Sequence, residues 1–101
     1  MKLKLTYSEF NALYQLLAAI CTGIKPAGIE AQVLHGVLFR MYRRFYTKAI
    51  KVKKKYAITI EADEACAFWI FFGKYDMYQQ DDFTRNLVRQ LNNSIHQKYS
   101  A

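Results

Sequence analysis

Few residues in this chain could do chemistry. The only histidines are His35 and His96, and the only cysteines are Cys21 and Cys66. A general base or a nucleophile needs a partner within hydrogen-bond reach. The sequence offers no GxSxG, HExxH or glycine-rich phosphate loop to supply one. His35 falls beside an apolar helical face and His96 on a polar one, where packed or solvated histidines are the ordinary outcome. The cysteines show no CxxC spacing and no histidine at zinc-ligand distance, so they are expected as reduced thiols in the core, with no metal bound. Asp76, Asp81 and Asp82 lack the spacing of a calcium loop, and Glu61, Asp63 and Glu64 sit at a strand-to-helix turn where acids favour the helix amino end. No catalytic residue, no enzyme activity and no cofactor is expected.

The stronger signal is charge. Fifteen Lys and Arg oppose eight Asp and Glu, a net +7. No acid occurs between Ala31 and Ile60, a stretch that holds Arg40, Arg43, Arg44, Lys48, Lys51, Lys53, Lys54 and Lys55. Arg40, Arg44, Lys48 and Lys51 recur every three or four residues and so form one ridge on a helix. Such a ridge suits backbone phosphates, which are bound by release of counterions with little regard to sequence. The competing explanation is a solvated basic face. Nucleic acid is therefore the leading partner, DNA and RNA being indistinguishable because no base-reading motif is present. Replacing Arg40, Arg44 and Lys48 with Gln is expected to flatten the salt dependence of binding without unfolding the domain. The rival is a protein-interaction or structural subunit, homodimeric through Phe39, Tyr42, Tyr46 and Ile50, which form a second stripe beside the ridge.

The elements that must carry these residues are legible in part. The composition, 52% hydrophobic and 16% aromatic, is globular, and 101 residues favour one domain. The longest strongly apolar run, Ala65 to Phe72, is far shorter than the ~20 residues that span a bilayer, and Glu9 breaks any leader-like start, so a soluble, cytoplasmic chain is expected. Residues 2–6 and 55–61 alternate as half-buried strands. Thr6 and Glu9 make a capping box for a helix that carries Phe10, Leu13, Tyr14, Leu17, Ile20, Cys21 and Ile24 on one stripe. Gly23 and residues 25–28 turn the chain into the longest helix, about Gly28 to Ile50, whose expected core face is Ile29, Val33, Val37, Met41 and Phe45, widened by Leu34 and Leu38. A third helix from near Asp63 is apolar all round, so it is expected to be covered on most sides. Residues 75–82 read as a loop. Asp81 or Asp82 then caps a fourth helix with the stripe Phe83, Leu87, Val88, Leu91, Ile95 and Tyr99.

The fold class that follows is α+β: a mostly helical single domain over residues 1–101, in two strand–helix–helix halves, 1–54 and 55–101, with a short two-stranded antiparallel sheet. The halves align at a constant offset that sets Leu3 on Ile58, Leu5 on Ile60 and Glu9 on Glu64. Few identities support the match, and chance similarity of two strand–helix starts competes with duplication. If duplication holds, a pseudo-twofold axis pairs the strands antiparallel, with the first and third helices covering their apolar face.

Overall fold

The computed structural model describes residues 1–23, 25–74 and 81–100. Most of the 75–82 loop, and Ile24, lie outside them. Strand β1 (Lys2–Thr6) leads into helix α1 (Tyr7–Gly23) and then α2 (Ile29–Ala49). Strand β2 (Lys55–Thr59), helix α3 (Ala62–Lys74) and helix α4 (Asp82–Tyr99) repeat the order. The strands pair antiparallel, Leu3 opposite Ile58 and Thr6 opposite Lys55. The pairing continues past both ends, because Tyr7 N–H donates to the Lys54 carbonyl at 3.0 Å and Ile60 N–H to that of Met1 at 2.8 Å.

Local chemistry explains where the elements start. The Thr6 hydroxyl accepts from Glu9 N–H at 3.2 Å, and the Glu9 carboxylate accepts from Thr6 N–H at 2.9 Å, closing the capping box. Helix α2 starts after Gly28, whose φ of 91° is one that side chains with a Cβ rarely adopt. The Asp81 carboxylate accepts from Thr84 N–H at 2.7 Å and caps α4.

The ribbon buries Leu3, Leu5, Tyr56 and Ile58 on one face and leaves Lys2, Lys4, Lys55, Ala57 and Thr59 exposed on the other. Contrary to the pseudo-symmetric expectation, α1 and α2 cover the apolar face, and α3 does not reach either strand among the described residues. Instead α3 packs on α2 and α4, and α4 returns to α1, closing a ring of four helices. Helix α3 is covered on most sides, with Cys66, Ile70 and Phe72 partly buried, and it opens to solvent at Trp69. Ala65, Ala67, Phe68 and Phe71 are buried, whereas Trp69 is exposed.

The face that α2 turns inward departs from the expected one only in its first turns, and Val37 packs against the core. Leu34, Leu38, Met41 and Phe45 are buried, but Ile29 and Val33 are 87% and 60% exposed. Helix geometry gives the reason. Each step of four residues overshoots a full turn by about 40°, so the row from Ile29 to Phe45 drifts nearly halfway round the helix. Spacings of four, three and four keep Leu34, Leu38, Met41 and Phe45 on one line. Near the ribbon, the Phe10 ring stacks on Tyr56 at 3.9 Å and on Phe45 at 5.3 Å. On α4 the stripe holds for Leu87, Val88, Leu91 and Ile95, while Phe83 in the first turn is half-exposed. No helix among the described residues is long and apolar enough to cross a membrane.

Candidate nucleic-acid interface

Helix α2 has two flanks and they meet different neighbours. One flank faces α3. There the Arg40 Nε donates to Glu64 at 3.0 Å, and the Arg44 Nε donates to both Glu64 oxygens at 3.2 Å. Arg40 also pairs with Asp63, and Arg44 with Glu61 at 3.5 Å. Glu64 accepts in addition from Glu61 N–H at 2.7 Å, repeating at α3 the reach-back that Glu9 makes at α1. Its side chain is fully buried, whereas the two guanidinium side chains are 48% and 38% exposed. Two of the arginines expected on a phosphate-binding ridge thus spend their hydrogen bonds inside the molecule, fastening α2 to the start of α3.

The remaining basic residues are placed differently. Arg43, Lys48, Lys51, Lys53, Lys54 and Lys55 are exposed and have no acidic partner among the described residues. The connection after α2 is held from below. The buried Tyr56 hydroxyl accepts from Lys53 N–H at 2.9 Å and donates to the Lys51 carbonyl at 3.1 Å. The lysine-bearing backbone is therefore positioned by a core residue, independently of the lysine side chains. Strand pairing adds Lys2 and Lys4, which project from the same exposed sheet face as Lys55. A shallow hollow of about 400 Å³ lies there, bordered by Lys4, Lys55 and Glu9, the last engaged with Thr6 N–H. Lys2 and Lys4 are the part of this face that sequence reading left out. Their outward alternation was visible, but only the register joins them to Lys55.

The other flank of α2 faces α1. His35 Nε2 lies 3.2 Å from the Cys21 carbonyl, and Tyr42 stacks on Tyr14 at 5.9 Å. Phe39 and Tyr46 stand on either side of Tyr42 and are 41% and 57% exposed, and Ile50 is 77% exposed. Burial raises the Tyr14 phenol pKa, and the neighbouring Tyr42 adds to the rise. His96 is exposed beside Trp69, and neither histidine meets a carboxylate among the described residues. Burial pushes the Cys21 thiol up to about 11, so it is protonated at neutral pH.

Two carboxyls are held below their ordinary range, Asp63 chiefly by the Arg40 hydrogen bond and Asp81 by Thr84 N–H. The unfolded chain then takes up their protons at higher pH than the folded one. Their contribution to stability is complete above the ordinary carboxylate range and is lost as pH falls through the folded values. The urea midpoint should fall on acidification below about pH 5, and less steeply in the Asp63→Asn, Asp81→Asn double variant. Equal slopes for the two proteins would contradict this.

Compared with known proteins, the chain matches no family model, no curated protein and no solved structure.

Proposed function

We propose that this protein is a small nucleic-acid-binding module that grips phosphates with the lysine-rich connection after α2 and the exposed face of the ribbon. The observation that carries this reading is the connection itself. Lys51, Lys53, Lys54 and Lys55 follow one another without an acid between them, on a backbone pinned by the Tyr56 hydroxyl. Lys2 and Lys4 extend the group along the sheet, and Arg43 and Lys48 extend it onto α2. Exposed, unpaired ammonium groups are the side chains that exchange their anions most readily. Arg40 and Arg44 contribute to the field but are occupied by Glu64 and its neighbours.

The test is fluorescence anisotropy with labelled DNA and RNA, single- and double-stranded, over a range of salt. Changing Lys51, Lys53, Lys54 and Lys55 together to Gln should flatten the log–log salt slope on duplex DNA by about 3 to 4, at ~0.9 per phosphate contact. The fold should persist, since none of these side chains is buried. An unchanged slope would place the contacts elsewhere.

A further inference from the structure

Building on that reading, we propose that the nucleic acid is single-stranded, its unpaired bases stacking on Phe39 and Tyr46 along the α1-facing flank of α2. The two rings are exposed and lie seven residues apart, about 10 Å along the helix and nearly in line on it. Arg43 lies between them in sequence and is exposed. A cation between two stacking rings is placed to meet the phosphates that join the stacked bases.

The rings do not hang free. Tyr42 touches both, at 5.9 Å from Phe39 and 6.3 Å from Tyr46, and is itself stacked on Tyr14 with the ring planes 11° apart. This half-buried shelf fixes the outer rings before any ligand arrives, which lowers the entropy lost on binding. The flank carries no acid, because α2 and its connection have none after Glu30. The acids of α3 engage Arg40 and Arg44 on the opposite flank. The flank also runs into the lysine cluster. Tyr46 is in the last turns of α2, and Ile50 and Lys51 follow directly. A duplex keeps its bases stacked on each other and offers no free face to such rings. A second copy of this chain fits less well, since pairing this flank with itself would bring two Arg43 guanidinium groups together with no acid of α2 after Glu30 to receive them.

Three labelled probes of equal length test this with the whole protein: a mixed-sequence DNA strand, its duplex, and a strand of abasic sites. The wild-type chain should bind the base-bearing strand at least about fivefold more tightly than the abasic one. The Phe39→Leu, Tyr46→Leu variant should lose that margin, bind the abasic strand as before, and leave the duplex affinity within about twofold. Phe39→Trp with Tyr46→Trp should restore the margin, which a merely structural role would not do. Equal wild-type affinity for the base-bearing and abasic strands would overturn the stacking proposal while leaving phosphate binding intact. So would a concentration-dependent dimer that the leucine variant dissociates. Failure to bind any of the three at low salt would overturn the phosphate-binding reading beneath it.

Discussion

Replacing Phe45 with Ala should lower the free energy of unfolding by about 3–5 kcal/mol, the usual cost of removing a fully buried aromatic ring. Phe45 has no exposed surface and lies where α2, α1 and the ribbon converge. Phe10 is stacked between it and Tyr56. The cavity would open beneath three elements that cannot all close on it. A domain of this size has about 5–15 kcal/mol in total, so the variant would sit near the edge of folding. The same loss should loosen Tyr56, and with it the backbone of Lys51 and Lys53. Urea unfolding measures the first effect, and hydrogen exchange at Lys53 N–H the second. A loss below about 1 kcal/mol, or unaltered exchange at Lys53, would contradict the picture of a core residue that positions the basic connection.

Glu64→Ala should cost about 2–3 kcal/mol. Its carboxylate accepts from two guanidinium groups and from Glu61 N–H, and hydrogen bonds to charged groups contribute more than neutral ones. Breaking a fully buried ion pair costs more, ~3–5 kcal/mol, because the abandoned partner has no water. Arg40 and Arg44 are about half and one-third exposed and can rehydrate, which sets the smaller figure. Asp63→Asn, at an exposed pair, should cost clearly less than Glu64→Ala. Chemical denaturation of both variants decides the matter. Equal losses would mean that burial of Glu64 does not matter. The same network changes what an arginine substitution can report. Changing Arg40 and Arg44 to Gln strands a buried carboxylate, so the triple change that the ridge alone suggested, Arg40, Arg44 and Lys48 to Gln, would lower stability and binding together.

What the sequence made legible follows from the range of each interaction. Strand alternation and the Thr6–Glu9 box involve residues within four positions of one another, and both stand in the structure. Ile29 and Val33 were misplaced because the Ile29 row and the Leu34 row look equally apolar at one-turn spacing. They separate only over the length of a long helix. Glu64 could have been found. It matches Glu9 at the common offset, and an acid three residues into a helix start reaches back to the cap. Its capture of Arg40 and Arg44, from more than twenty residues away, depends on how α3 docks, which no local pattern records. For the same reason Lys2 and Lys4 could be assigned to an outer face but not joined to Lys55 before the strands were paired.

The most direct test of a phosphate-binding connection is the salt slope of binding to duplex DNA, measured side by side for the wild-type chain and the Lys51, Lys53, Lys54, Lys55 to Gln variant. A steep wild-type slope that flattens by about 3 to 4, with the urea midpoint unchanged, is the expected result. Two parallel slopes, or no wild-type binding even at low salt, would contradict it.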